Sequence, residues 1–334
     1  MLTRAKARSI TNNRRPTSVF EMDDDRAEHR PVMVARVIEY LAPEKGKVIV
    51  DGTLGAGGHA AAIAERLSPG GRLIGIDRDP KALASARKRL GAVEAAQVGY
   101  HCENYRDLLS VLDDEGLEEV DGILLDLGLS SMQVDDPERG FSFRQDGPLD
   151  MRMGPDAEMT AEELVNEASE DELTRIIYNY GDERWARRIA HFIIEARERR
   201  PIRTTWELTK VVEDAVPVSA RRGRKHPARK TFQALRIAVN DELDDLKEGI
   251  TTGIKCLAPA GRIVVLSYQS HEDRLVKRTF NSLARGMDYL PGDPLYIEPV
   301  IELLTRKPVT PYEEEIETNP RSRSAKLRAA IKKG

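Results

Sequence analysis

The segment Asp51-Gly52-Thr53-Leu54-Gly55-Ala56-Gly57-Gly58-His59 joins a β-branched run to an alanine-rich one, and its residue types suit the binding of an electron-rich group. Glycine admits positive φ and lets a ligand reach the backbone, while the first N–H groups of a following helix have no partner inside it. Gly55, Gly57 and Ala60 fit the spacing G-x-G-x-x-G/A. Asp77 follows Gly57 by about twenty positions, the separation at which an acid meets ribose hydroxyls. The two signals together point to a nucleoside cofactor rather than a bare phosphate; the plainer reading is a tight turn with no ligand. A nicotinamide dinucleotide and S-adenosylmethionine share this geometry, and spacing does not separate them. An oxidoreductase needs a placed proton donor, and the chain contains no Tyr-x-x-x-Lys. A methyl donor needs only alignment of acceptor, methyl and sulfur, because its sulfonium is already an activated leaving group.

A second candidate is Asp126-Leu127-Gly128-Leu129-Ser130-Ser131-Met132-Gln133, just past an apolar run. Asp126 and Gln133 can hydrogen-bond an adenine or a methyl acceptor there; the plainer reading is a turn that closes a strand. A third is the basic run of Arg221, Arg222, Arg224, Lys225, Arg229 and Lys230, which contains no acid. Such a run is usually a solvated loop, and beside a nucleoside-cofactor core it becomes a candidate RNA contact. Arg139-Gly140-Phe141-Ser142-Phe143-Arg144 interleaves cations and aromatics, as base-stacking surfaces and ordinary core segments both do.

The elements that would position these groups follow from the apolar pattern. Lys47–Asp51, Arg72–Asp77, Gln97–His101 and Asp121–Leu127 read as strands, separated by helices over His59–Leu67, Pro80–Leu90 and Tyr105–Leu112. Asp79 is placed to N-cap the second helix and Pro80 to open it. Alternating strands and helices imply a parallel, doubly wound sheet. From about Asp136 to Lys230 the pattern becomes helical, with segments at Ala161–Glu167, Glu170–Tyr180, Glu183–Arg199 and Thr205–Ala215. A long helix over Thr231–Leu257 then precedes a strand at Gly261–Tyr268. The basic tail Asn319–Gly334 reads as partly helix-prone, either docked or loose. The expected organisation is a flexible extension (1–25), an α/β core (26–135 and 231–334) and an inserted helical domain (136–230).

Composition narrows the function. The chain has 334 residues, 40% of them hydrophobic and 32% charged, which supports a buried core and excludes wholesale disorder. A net charge of −4 gives no global attraction to polyanions, so any nucleic-acid site has to be a local patch. Cys102 and Cys256 have neither disulfide nor metal-binding spacing, which fits a reducing compartment and predicts no metal site. No secretion signal and no apolar stretch of about 18 residues is found, so a cytoplasmic protein without a membrane association is expected.

Longer motifs carry a resemblance. HRPV (His29–Val32), DGTLGAGGH (Asp51–His59), GIDRDP (Gly75–Pro80), DGILLDLGLSSMQVDD (Asp121–Asp136), RGFSFRQDGPLDMRM (Arg139–Met153), YGDERWARRIA (Tyr180–Ala190), HPARKTFQALRIAVNDEL (His226–Leu243) and NPRSRSAKLR (Asn319–Arg328) together resemble the bacterial 16S ribosomal RNA cytosine-N4 methyltransferase family. The resemblance implies a Rossmann-like class I S-adenosylmethionine-dependent methyltransferase core with an inserted, mainly helical domain that recognises RNA. It implies methylation of the exocyclic N4 of a cytidine in the decoding region of 16S rRNA, with that RNA, within the small ribosomal subunit, as partner. It carries cofactor contacts onto Gly57, Gly58, His59, Asp77, Tyr105, Asp126 and Gln133. The chain departs from the family in having Tyr105 where Phe is more common. It also reads Ser267-Tyr268-Gln269-Ser270-His271-Glu272-Asp273-Arg274 where the family pattern is S-F-H-S-L-E-D-R.

A cytidine N4 lone pair is delocalised into the ring, so the amino group attacks only when hydrogen-bond acceptors draw it toward tetrahedral geometry. Asp126, Ser130 and Ser131 are the candidate acceptors, with positioning rather than a strong general base supplying most of the rate. Three other readings stay open on sequence: a methyltransferase acting on another substrate class, a non-methylating dinucleotide oxidoreductase, and a non-catalytic RNA-binding assembly factor.

Overall fold

The structure, a computed structural model, describes residues 30–91, 97–221, 226–286 and 298–334. The expected N-terminal extension, and Arg222, Arg224 and Lys225 of the basic run, lie outside the described residues.

Helix α1 (Val34–Leu41) leads into β1 (Val48–Asp51), α2 (Gly58–Leu67), β2 (Arg72–Ile76), α3 (Pro80–Leu90), β3 (Gln97–His101), α4 (Leu108–Asp114) and β4 (Val120–Asp126). These alternating units arise where the sequence pattern places them, except that Tyr105–Asp107 forms a 3-10 turn ahead of α4. The reason is local, since the Asn104 side chain accepts the Arg106 N–H and holds the chain in a tight turn.

After β4 come α5 (Ser131–Asp135), α6 (Ala161–Glu167), α7 (Glu170–Gly181), α8 (Ala186–Arg199) and α9 (Thr205–Ala215). Capping boxes at Thr160/Glu163 and Thr204/Glu207 start α6 and α9, each contributing about 1 kcal/mol. These helices bury their own cluster, including Val165, Leu173, Ile177, Ile189, Ile193 and Leu208. The next helix, α10 (Ala228–Val239), adds Phe232, Leu235 and Val239 to that same cluster.

The single long helix expected over Thr231–Leu257 is two helices, α10 and α11 (Glu242–Cys256). Asp241 between them adopts a left-handed conformation with φ of 50°. Asn240 stabilises the break: its side-chain amide donates to the Arg236 and Met151 carbonyls, and its oxygen accepts the Met153 N–H at 2.7 Å. Three acids in the first turn of α11 then suit the positive end of a new helix.

The chain closes with β5 (Leu257–Ser267), α12 (Ser270–Arg285), β6 (Ile301–Leu303), α13 (Glu313–Thr318) and β7 (Lys326–Lys332). The seven strands form one sheet in the order β3-β2-β1-β4-β5-β7-β6. Strands β1 to β5 pair in parallel, whereas β7 runs antiparallel to both β5 and β6. The expectation of a parallel sheet therefore holds for five strands and is corrected at β7, where a tail rich in helix formers is a docked strand. Tertiary pairing overrides propensity here: Leu327, Ala329 and Ala330 are buried, and small residues fit a strand covered on both faces.

Successive core residues face opposite sides of the sheet. Ile123 and Leu125 pack with Leu246, Ile250 and Ile254 of α11, while Leu124 packs with α1 and α2 through Val37, Leu41 and Ile63. All parallel strands thus point their C-terminal ends at one edge, where such sheets bind ligands.

Candidate active site

The glycine loop closes over that edge. Gly52 N–H donates to the Leu124 carbonyl at 2.9 Å and Leu54 N–H to the Ile76 carbonyl at 2.9 Å, tying the loop to β4 and β2. A Cβ on Gly52 would lie 2.7 Å from Leu125 Cδ2. Gly57, the N-cap of α2, has φ of 77°, and a Cβ there would press on Ala86 of α3 at 3.3 Å. Glycine meets both demands, letting the loop close on β4 and α2 pack against α3.

Asp77, just past β2, is half-buried. One carboxylate oxygen accepts the Gly55 N–H at 2.7 Å and the other the Asp79 N–H at 2.8 Å. Burial pushes its pKa up to about 6, although those N–H groups pull the other way. Each oxygen keeps a second lone pair for a ligand hydroxyl. Asp79 N-caps α3 by accepting the Lys81 N–H at 2.9 Å, and its other oxygen holds Gln133 Nε2 at 3.3 Å and an Arg139 guanidinium nitrogen at 2.6 Å. Gln133 Oε1 in turn accepts the Ser130 N–H, and Ser130 Oγ accepts the Gln133 N–H at 3.2 Å. The Ser130 hydroxyl, a candidate acceptor for the substrate, is thus engaged as the cap of α5, which Ser131 opens.

Asp126 ends β4 at the centre of the edge. Its N–H donates to Thr53 Oγ1 at 2.6 Å, and its Oδ1 accepts the Tyr268 hydroxyl at 2.8 Å. Its Oδ2 lies 3.3 Å from His59 Nε2 in the first turn of α2, an ion-pair contact rather than an aligned hydrogen bond. His59 is buried, which disfavours its charged form, yet Asp126 and Asp51 together raise its pKa. Asp51 beneath it is buried and pushed up to about 7 by loss of solvent. Burial likewise raises the Tyr268 hydroxyl, and the neighbouring Asp126 carboxylate raises it further.

Tyr105 forms the opposite wall. Gly249 of α11 has no room for a Cβ against the Tyr105 ring. Beyond it, Arg236 of α10 makes a bidentate pair with Glu242 of α11 at 2.6 and 2.7 Å. Glu272 lies 3.9 Å from Arg236 and accepts the N–H groups of Tyr268 and Gln269. The cavity has a volume of about 440 Å³ and is lined by Asp77, Tyr105, Asp126, His59, Gln133 and Tyr268, among others. This is within the range of about 300–1,000 Å³ usual for small-molecule sites.

The structure thus brings together six of the residues singled out in the sequence as cofactor contacts, Gly58, His59, Asp77, Tyr105, Asp126 and Gln133, with Gly57 capping the helix behind them. Sequence reasoning missed Tyr268, Arg236, Glu242 and Glu272, which come from separate elements; the one available signal was that they sit inside long family-like motifs. The basic run is not gathered at this cavity. Arg221 donates to the Val216 carbonyl and Lys230 to the Asp182 carbonyl, while Arg229 is exposed. Phe141 and Phe143 pack in or against the helical core, with the Phe143 ring stacked on His226 at 4.8 Å.

A sheet of this order with a reversed β7, a glycine loop after β1 and an acid after β2 defines a Rossmann-like class I methyltransferase fold carrying a helical insertion. The sequence matches the MraW methylase family over residues 26–333, and the chain belongs to that family. It is 48% identical over 306 residues to the ribosomal RNA small subunit methyltransferase H of Halothermothrix orenii, covering 91% of this chain and 98% of that one. The proteins of the same name from Geotalea daltonii (52% over 308 residues) and Heliobacterium modesticaldum (47% over 308 residues) match with the same coverage.

Proposed function

We propose that the chain transfers a methyl group from S-adenosylmethionine to the exocyclic N4 of a cytidine in the decoding region of 16S rRNA, within the small ribosomal subunit in the cytoplasm. The observation that carries this reading is Asp126. Its carboxylate stands at the C-terminal edge of the sheet, lines the cavity beside the glycine loop, and is oriented by Tyr268 and His59.

The residues present fit the methyl donor. Gly55 and Gly58 line the cavity at the start of α2, Asp77 has lone pairs for ribose hydroxyls, and the Tyr105 ring is placed to lie beside an adenine. Bound there, S-adenosylmethionine supplies a methyl group on a positively charged sulfur. Asp77 and Asp126, which line the cavity, favour that charge electrostatically. Asp126 accepts a hydrogen bond from the cytidine amino group, drawing the nitrogen lone pair out of conjugation, and is the first acceptor for the proton that nitrogen releases. Arg236, Glu242 and Glu272 hold the far wall rigid, so alignment rather than strong base chemistry supplies the rate.

The target base has to leave its stack to bring its N4 to a methyl group held in this cavity. The insertion, residues 136–230, serves as the surface that grips the surrounding RNA, with Arg221, Arg229 and Lys230 at its end. Incubating the protein with labelled methyl donor and unmethylated small subunits, naked 16S rRNA or bulk protein tests this. Label in RNA supports the reading, label only in protein overturns the substrate class, and RNA binding without label would identify a silent assembly factor.

A further inference from the structure

The first turn of α12 has two sides. Gln269 and Glu272 line the catalytic cavity, whereas His271 and Arg274 line a second, shallower cavity of about 350 Å³ whose other walls are Tyr178, Asn179, Asp182 and Arg184. Core and insertion meet here, since Tyr178 and Asn179 belong to α7 and Arg184 precedes α8.

This second cavity sets two arginines beside an aromatic side chain. Tyr178 is 62% exposed, so its ring is accessible to a ligand from solvent. Arg184 and Arg274 are both exposed, and among the described residues neither forms an ion pair; Arg184 lies over the Trp185 ring at 5.3 Å. The only acid among the described residues lining the cavity, Asp182, has its carboxylate 3.1 Å from His271 Nε2. His271 is about nine-tenths buried, and that nitrogen makes no aligned hydrogen bond. Two guanidinium groups are therefore left for an anion from outside, beside an aromatic face. Arginine suits phosphate because its planar fork matches the oxygens, and exposed aromatics stack unpaired bases.

We propose that this cavity is a second nucleotide subsite, taking a nucleotide of the RNA strand that flanks the target, with its base on Tyr178 and its backbone phosphate between Arg184 and Arg274. A strand that puts one base into the catalytic cavity passes directly over the shared helix turn. The assignment rests on the RNA-methylation reading above and adds a site outside the cofactor cavity.

The test measures affinity of the full chain for unmethylated 16S rRNA across a salt series. The double variant Arg184→Gln/Arg274→Gln should bind roughly tenfold or more weakly, with a salt slope lowered by about 0.7 for each phosphate no longer neutralised. Arg184→Lys/Arg274→Lys should keep most of the slope, and Tyr178→Ala should weaken binding roughly tenfold while leaving the slope unchanged. Methyl-donor affinity and melting temperature should match the wild type in all three. If folded variants keep wild-type affinity and slope, the subsite is overturned, and if they lose only binding of free cytidine monophosphate, it is a mononucleotide site and not an RNA one. A wild-type protein that methylates no RNA at all would instead remove the underlying reading.

Discussion

The Tyr268 hydroxyl donates to Asp126 Oδ1 at 2.8 Å, and this contact joins two strands that sequence separates by 142 positions. Tyr268 follows β5 and Asp126 ends β4, so their side chains meet because the strands pair in parallel with Asp126 beside Leu266. The hydroxyl fixes one carboxylate oxygen and leaves the orientation of the other to His59.

Tyr268→Phe should fold normally and lower single-turnover methyl transfer by about tenfold to a hundredfold, the worth of one hydrogen bond to a carboxylate of about 1.5–3 kcal/mol. Donor affinity, measured by calorimetry, should stay within twofold. A rate equal to wild type would show that Asp126 is held without the hydroxyl.

Methyl-donor affinity should depend on pH through Asp77. Its pKa is raised from 3.8 to about 6 in the fold, so ionisation of the unliganded protein lowers its stability as pH rises from 3.8 to about 6. Ligand hydroxyls that donate to the carboxylate favour the ionised form. Binding should therefore release protons near pH 6, and affinity should climb across that range and level off above about pH 7. Calorimetry in two buffers of different ionisation heat reads this directly; an affinity that falls with pH would contradict the role given to Asp77.

Asn240→Ala should cost roughly 2–4 kcal/mol, because it orphans the buried Met153 N–H and Met151 carbonyl together. The measurable result is a lower midpoint in urea. Since Asn240 ties the start of the insertion to the α10–α11 break, donor binding should weaken along with stability. A loss under about 0.5 kcal/mol would mean the break is held by other contacts.

Gly57→Ala should disable donor binding while leaving the protein folded, at a cost of about 1–2 kcal/mol for a left-handed non-glycine residue. Its added methyl meets Ala86 at 3.3 Å, so α2 has to shift. Wild-type affinity in a donor titration would show that the helix start is not used.

Much of this architecture is legible along the chain because its determinants are local. Asp79 caps a helix it precedes, Gly57 sits where a strand turns into a helix, and Asp77 lies at the spacing a nucleoside pocket requires. What escaped is non-local. Lys326–Lys332 has the composition of a helix and becomes a strand only because β5 and β6 leave a slot between them. Asn240 and Asp241 break a helix through bonds to Met151 and Met153, nearly ninety positions away. The basic run read as a free patch is partly consumed by backbone carbonyls at Val216 and Asp182, whereas Tyr178 and Arg184, in ordinary helical sequence, meet Arg274 only in the folded chain.

The whole mechanism turns on Asp126 serving the transfer of a methyl group to a cytidine N4. The decisive experiment is mass-spectrometric nucleoside analysis of 16S rRNA after incubation of unmethylated small subunits with S-adenosylmethionine and either wild-type protein or Asp126→Asn. N4-methylated cytidine with the wild type, falling at least about a hundredfold with the variant, is the expected result. Methylation of any other nucleoside, or undiminished N4-methylcytidine from the variant, would contradict this role.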